Sequence, residues 1–266
     1  MTAGTAKHRD GNAVWARHPS TPELPRMSPY SIIVAAHVAV GALALGTFWT
    51  AALLRKGSPL HRRVGQAYLL AMLGIIVTAV PMVGFKLHEG HSVTAAFLAY
   101  LVVITATGVW GAWRAIRDKH DVDRYTGVIY QLLATLSIIS GAAVLVLGLR
   151  EGAPLLIGFS AVGLVIGADM LRKRRHRKRL ASQPRWWMVE HYGAMIGNGV
   201  ATHIAFLSLG LPRLLPGVDG TALHYAGWFA PLFVAVAARV LLDRRWKPRN
   251  RLAPAAPAST SLSARS

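Results

Sequence analysis

Histidine is the residue type in this sequence that could carry chemistry inside a membrane. The chain has 11 histidines and no cysteine. The lack of cysteine excludes thiolate metal sites, iron–sulfur clusters and c-type haem attachment. Four histidines lie within or beside long apolar stretches, where a buried imidazole is costly unless it gains a partner. These candidate site residues are His37, His61, His191 and His203.

The positions of these four residues predict two layers in the membrane. His37 and His203 each lie about 9–10 Å from one membrane surface, at about 1.5 Å of helix per residue. His61 and His191 lie near the other surface. Membrane b-type cytochromes hold each haem iron between two imidazoles. We therefore predict haem b as a candidate cofactor bound by His37 and His203, with His61 and His191 as a candidate second pair.

Helix geometry favours one haem over two, and other roles stay open. His191 and His203 are 12 residues apart, which places them about 120° apart around a helix. The histidines could instead bond to neighbouring helices and serve packing, or bind a small metal ion or a substrate. His88, Glu89 and His91 could form a surface metal site, but two histidines in one loop are a weak signal. We assign no metal ligands.

The elements that must position these residues are seven long apolar stretches. Most contain about 18–24 residues, the length that an α-helix needs to cross roughly 30 Å of hydrocarbon. The first four contain no Asp, Glu, Lys or Arg. This pattern predicts an all-α polytopic bundle of seven transmembrane helices. The stretches are Ser31–Leu54, Val64–Phe85, Val93–Trp113, Val128–Leu149, Pro154–Leu171, Met188–Leu211 and Tyr225–Leu242.

Positive charge alternates from loop to loop and predicts the orientation. Of the 30 Lys and Arg residues, 22 lie after the first, third, fifth and seventh stretches, whereas 7 lie in the N-terminal tail and the other loops. Positively charged loops remain in the cytoplasm. We therefore predict an outer N-terminus and a cytoplasmic C-terminus in a bacterial cytoplasmic membrane. The net charge of +19 is then explained by anionic lipid headgroups as partners and not by nucleic acid.

The two ends of the chain differ from the region that forms the spans. Residues 1–29 form a polar tail that lacks the apolar run of a signal peptide. Met27 precedes the first stretch and could be the translation start, which the intact mass of the native protein would test. Residues 30–242 are predicted to form the transmembrane domain. Residues 243–266 are basic and then rich in Ala, Ser and Pro, which predicts a disordered tail.

Three short motifs surround the candidate histidines. They are His37-x3-Gly41, His61-Arg62-x2-Gly65-x2-Tyr68 and His191-x3-Met195-x-Gly197. These motifs resemble an uncharacterised family of bacterial multi-pass membrane proteins, defined only as a domain of unknown function. The resemblance covers roughly half of the chain, residues 30–110 and 186–210. It implies a membrane location and highlights His37, His61 and His191, but it implies no reaction.

Spacing along the second and sixth stretches predicts a polar cluster near the cytoplasmic surface. His61 and Tyr68 are seven residues apart and therefore share one helix face. Together with His191, and with Glu190 as a further member, they could form a second site. An interfacial polar layer that binds no ligand is the alternative. Asp169, which also lies near a cytoplasmic helix end, is expected to pair with Arg172 or Lys173 one turn later.

Several function classes lack their motifs in this sequence. No Gly-rich phosphate loop, Gly-x-Ser-x-Gly or His-Glu-x-x-His pattern is present. The last stretch has no Lys for a retinal Schiff base, and no carboxylate lies at mid-membrane for a proton relay. A haem-binding or redox membrane protein is the favoured interpretation. A non-redox transporter or accessory membrane factor with structural histidines is the alternative. The sequence specifies neither a redox partner nor a substrate, and whether the protein is an enzyme stays open.

Overall fold

Seven long helices dominate the computed structural model, which describes residues 28–214, 217 and 220–246. All seven are long and apolar enough to cross a membrane, and the described residues form no strand. The prediction of an all-α, seven-span bundle is therefore confirmed. In chain order the helices are α1 (Pro29–Leu53), α2 (Pro59–His88), α3 (Ser92–Arg117), α4 (Val122–Tyr125), α5 (Val128–Arg150), α6 (Pro154–Arg175), α7 (Arg177–Ala181), α8 (Trp186–Ala205), α9 (Leu211–Leu214) and α10 (Thr221–Trp246), and a π-helical segment (Phe206–Gly210) joins α8 to α9.

The predicted tails lie almost wholly outside the described residues, which exclude residues 1–27 and 247–266. One difference falls within the described part. α10 continues through Trp246, so the first residues of the predicted C-terminal tail are helical. Arg244 and Arg245 occupy the last turn of that helix, where positive charge interacts favourably with the helix dipole.

A Ser-Pro pair fixes the start of the helix that carries His61. The Ser58 hydroxyl accepts a hydrogen bond from the backbone N–H of His61 at 3.1 Å, and Pro59 occupies the first turn. A serine N-cap followed by proline satisfies free N–H groups and presets the backbone for a helix. α2 therefore begins before the predicted Val64, and His61 lies in its first turn. The same Ser-Pro arrangement opens α1.

The long helices pack around α3 and α8. α1 packs on α2 and α5 packs on α6, while α3 contacts α2, α5 and α8, and α8 also contacts α1 and α10. The connections that are rich in Lys and Arg meet at one end of the bundle, which we call the basic end. There Arg174 donates to the backbone carbonyls of Thr126 and Gly127, and Arg177 pairs with Asp123 at 2.6 Å.

Large apolar side chains cover the outside of the bundle. Leu43, Leu70, Val77, Ile139 and Phe233 are all exposed, and each belongs to a long apolar helix. Soluble proteins rarely leave a continuous apolar surface of this kind. Lipid hydrocarbon covers such a surface in a bilayer. The chain is therefore a multi-pass membrane protein.

Glycines bring α5 and α6 into close contact. A Cβ atom built on Gly167 would lie 2.5 Å from the Ala134 carbonyl oxygen and 2.6 Å from Ile138 Cγ1. A Cβ atom on Gly148 would lie 2.9 Å from the Ile157 backbone nitrogen. Small residues at such crossings let helix backbones approach, and this packing drives helix association where the hydrophobic effect is missing.

We expect Gly167→Ala to destabilise the protein by about 1–3 kcal/mol, because the added methyl group meets a backbone atom that cannot rotate away. Gly41→Ala is the matched control. A Cβ atom at Gly41 has nothing within 4 Å, and alanine has the higher helix propensity. Thermal unfolding in detergent measures both variants. Equal losses of stability would contradict the role of close packing at Gly167.

Candidate functional site

His37 ties α1 to α2 at a point far from the basic end. Its ring Nδ1 lies 2.8 Å from Thr78 Oγ1. The Thr78 hydroxyl donates to the Gly74 carbonyl at 2.8 Å, so the imidazole N–H is the donor in the bond to Thr78. The half-buried His37 thus has a polar partner on the adjacent helix.

His203 uses both of its ring nitrogens within the bundle. Nδ1 donates to the Gly199 carbonyl at 2.7 Å, one turn earlier on α8. Nε2 therefore carries the lone pair, and it accepts the Trp49 indole N–H at 3.0 Å. The Phe48 ring meets the imidazole edge-on, with centroids 5.3 Å apart. His203 therefore links α8 to α1 by a bond that occupies the nitrogen needed for metal ligation.

The structure does not bring His37 and His203 together as a pair. His203 contacts Trp49, which lies 12 residues after His37 on α1, or about 18 Å along the helix. Two axial ligands of one iron need ring nitrogens roughly 4 Å apart, twice a metal–imidazole bond. The expectation of equal depth is wrong because His203 of α8 meets α1 at Phe48 and Trp49, close to the end of α1 at Leu53, and not at the level of His37.

His61 and His191 are brought together at the basic end. His61 Nδ1 lies 3.0 Å from the Ala51 carbonyl oxygen of α1, and His191 Nδ1 lies 2.9 Å from the Ala112 carbonyl oxygen of α3. His61 and Lys56 are both within electrostatic range of the His191 ring. Both imidazoles are half-buried. Four helices, α1, α2, α3 and α8, therefore position this pair.

The two main-chain contacts fix the chemistry of the pair. A carbonyl oxygen only accepts hydrogen bonds, so Nδ1 of each ring carries a proton. In the neutral imidazole the lone pair is then on Nε2. Within the described part of the chain, neither Nε2 atom of His61 or His191 takes part in a hydrogen bond. Of the four candidate histidines, His37, His61 and His191 therefore have an Nε2 atom that is available to a ligand, whereas Nε2 of His203 is occupied by Trp49.

Two members of the expected cluster point elsewhere. Tyr68 is fully buried, and its hydroxyl faces the Thr202 hydroxyl at 3.3 Å, deeper in the bundle. Glu190 is also buried, but its carboxylate binds Tyr125 and Lys173 instead of joining His191. The prediction that Glu190 belongs to the histidine cluster is wrong, because adjacent residues on a helix point about 100° apart.

A partly buried ion network at the basic end includes one contact between helices that the sequence did not predict. Lys173 Nζ lies 2.7 Å from Asp169 Oδ2 and 2.7 Å from Glu190 Oε1. Burial raises the pKa of the Tyr125 phenol, and the nearby Glu190 carboxylate raises it further. Tyr125 therefore keeps its proton and donates to Glu190 at 3.3 Å. The network joins α6, α8 and the α3–α5 connection.

Part of this network was predictable. The expected pairing of Asp169 is confirmed, since its carboxylate binds Arg172 at 2.5 Å and Lys173 at 2.7 Å. Both pairs follow from helical spacing within α6. The bond from Lys173 to Glu190 joins two helices, and no spacing rule reports such a contact. The available signal was a carboxylate placed one turn inside an apolar helix, which requires a cationic partner.

We expect Lys173→Met to destabilise the protein by about 2–4 kcal/mol, because it leaves two carboxylates without their shared counter-ion. Lys178→Met makes the same charge change at an exposed residue and should have little effect. Adding Glu190→Gln to Lys173→Met should restore part of the stability. Thermal unfolding of the three variants in detergent measures this coupling. A double variant that is no more stable than Lys173→Met alone would contradict the interaction of Lys173 with Glu190.

Comparison of the chain with protein-family models, with curated proteins and with solved structures gives no match. The family resemblance of the His61 and His191 motifs therefore stays a prediction.

Proposed function

We propose that this membrane protein holds a haem b, or another metal cofactor ligated by two imidazoles, between His61 and His191, and that it serves in membrane redox chemistry. The observation that supports this most is the shared arrangement of the two rings. Each donates Nδ1–H to a main-chain carbonyl of a neighbouring helix and leaves Nε2 as the ligand atom.

The carbonyl contacts have the effect that a metal-binding histidine requires. Protein ligands of metals commonly donate their second ring N–H to a carbonyl or carboxylate, which sets the tautomer and the ring orientation. Ala51 and Ala112 supply such acceptors from two different helices. Because both acceptors belong to the main chain, no side-chain rotation can remove them. The two rings are thus oriented before any cofactor arrives.

Two features beside the pair support a flat, anionic group such as haem as the ligand. Gly65 lies one turn after His61 on α2, and a Cβ atom there would have nothing within 4 Å. Lys56 adds a positive charge beside the pair, and its ammonium group binds the Ala51 and Ala52 carbonyls at 3.1 and 2.5 Å. A haem bound here would supply one-electron chemistry. The chain would hold the iron through His61 and His191 and offset the negative charge of the propionates through Lys56.

A bacterial cytoplasmic membrane is the location that we propose for this chemistry. The distribution of Lys and Arg supports an outer N-terminus and a basic end in the cytoplasm. Anionic headgroups then surround the basic end. A redox partner or a small-molecule substrate would reach the His61–His191 pair from the cytoplasmic side.

A non-redox transporter or accessory membrane factor is the second candidate. The bonds from His37 to Thr78 and from His203 to Trp49 favour it. Both bonds join helices without any cofactor, which is what structural histidines do. In this alternative His61 and His191 would likewise serve only to bind the ends of neighbouring helices.

A pyridine haemochrome spectrum of the purified protein separates the two candidates. We expect a b-type band that is lost in His61→Ala and in His191→Ala, because each change removes one of the two residues that would hold the haem. His37→Ala and His203→Ala are the matched controls and should retain the band, since those rings engage other partners. Elution as a folded species in detergent shows that a variant without haem has not simply unfolded.

Two results would contradict the proposal. One is a colourless protein that stays colourless after haem is added to the cells and to the purified sample. The other is a band that survives both His61→Ala and His191→Ala. The colourless protein favours the non-redox alternative, whereas the surviving band shows that haem is bound by residues other than His61 and His191.

A further inference from the structure

A cleft with a volume of about 700 Å³ opens at the basic end, between α6, α7, the start of α8 and the end of α10. Four cationic side chains line it, against two carboxylates. The cations are Arg172, Lys173, Arg179 and Arg239, and His176 lies beside them. The cleft is distinct from the His61–His191 pair, and a ligand bound in it requires no haem.

The two carboxylates of the cleft are already neutralised. Lys173 bridges Asp169 and Glu190 at 2.7 Å each, and Arg172 adds a second bond to Asp169 at 2.5 Å. Glu190 also accepts the Tyr125 hydroxyl. Because both carboxylates are ion-paired, they leave little negative potential in the cleft to repel an anion.

Arg179 and His176, which also line the cleft, differ from Lys173 and Arg172 in lacking an acidic partner among the described residues. The exposed side chains of Arg179 and His176 make no ion pair with any other residue of the described part. Arg179 comes from α7, so its guanidinium enters the cleft from a different side than Arg172. A second guanidinium that is free to bind is the feature that an anion site needs.

Arg239 enters the cleft from α10 and is held in place by three contacts. Its Nε donates to Asp243 at 3.1 Å, and its guanidinium carbon lies 5.1 Å from the centre of the Tyr192 ring. The guanidinium also fills the space where a Cβ atom of residue 193 would be, so Gly193 is what admits it. Nε binds Asp243 and Nη1 occupies the space at Gly193, so Nη2 is the nitrogen that remains for a ligand.

We infer that this cleft binds a phosphate group, either the headgroup of an anionic phospholipid or a free phosphate anion. Guanidinium groups match the oxygens of a phosphate in geometry and charge. Arg179 of α7 and Arg239 of α10 line the cleft together with the ion-paired group of Lys173, Asp169 and Glu190. The cleft also lies at the helix ends, within the connection richest in Lys and Arg. Basic pockets between transmembrane helices at that depth recognise lipid headgroups.

The inference is tested by the binding of dioctanoyl phosphatidylglycerol to the purified full-length protein in neutral detergent. Native mass spectrometry and titration calorimetry measure this binding. We expect Arg179→Gln and Arg239→Gln to weaken binding about fivefold each, since each phosphate contact by a cation contributes about that much. Gly193→Ala keeps every charge but displaces the Arg239 guanidinium, and it should weaken binding to the same extent as Arg239→Gln.

Arg175→Gln is the matched control, because it removes one exposed arginine close to the cleft that does not line it. It should change affinity less than about twofold. Dioctanoyl phosphatidylcholine and inorganic phosphate form the other two arms. Saturable binding of phosphatidylglycerol alone identifies a lipid site, and competition by inorganic phosphate identifies a site for the free anion.

Two outcomes would overturn the inference. The first is equal binding of phosphatidylcholine and phosphatidylglycerol without competition by phosphate. The second is an equal loss of binding in Arg175→Gln and Arg179→Gln, which would show that overall charge and not the cleft attracts the anion. We expect these variants to leave the haemochrome band unchanged, so the two proposals can fail separately.

Discussion

Hydrocarbon offers no hydrogen bonds, so each polar group inside this bundle needs a partner from the chain itself. This constraint explains where the histidines point. Three of the four candidate imidazoles, His61, His191 and His203, donate to main-chain carbonyls, and the fourth donates to a threonine hydroxyl. The Ala51 carbonyl illustrates the logic, because α1 ends at Leu53 and leaves that oxygen without a helical N–H donor. His61 and Lys56 supply the missing donors.

The same constraint distinguishes His203 from His61 and His191. His203 finds a donor for its second nitrogen in Trp49, so both of its ring nitrogens are satisfied. His61 and His191 each satisfy one nitrogen and present the other beside a positive charge. Among the described residues, no hydrogen-bond partner occupies Nε2 of His61 or Nε2 of His191. This contrast is why His61 and His191, rather than His37 and His203, are the better candidates for binding a cofactor.

Much of the fold could be predicted from the sequence because hydrocarbon thickness dictates the length of each apolar stretch. The helix that contains His61 starts earlier than its apolar stretch, since Ser58 and Pro59 begin a helix through backbone geometry and not through hydrophobicity. The depth of His203 in the membrane was harder to predict. The position of His203 relative to His37 depends on where along α1 the helix α8 makes its contact, and the apolar pattern of the two helices carries no signal for that level. Contacts between helices, such as Lys173 with Glu190, depend on rotation about each helix axis, which charge counting cannot supply.

Hydrogen bonds between α1 and α2 hold this helical hairpin together at both of its ends. His37 bonds to Thr78 near the open end, and His61 bonds to Ala51 beside the turn. Both fastenings involve residues that leave the ribosome long before α8 does. During cotranslational insertion the hairpin can therefore close on its own and orient the His61 ring in advance. In the last step of assembly, α8 would then bring His191 to a hairpin in which the His61 ring is already oriented.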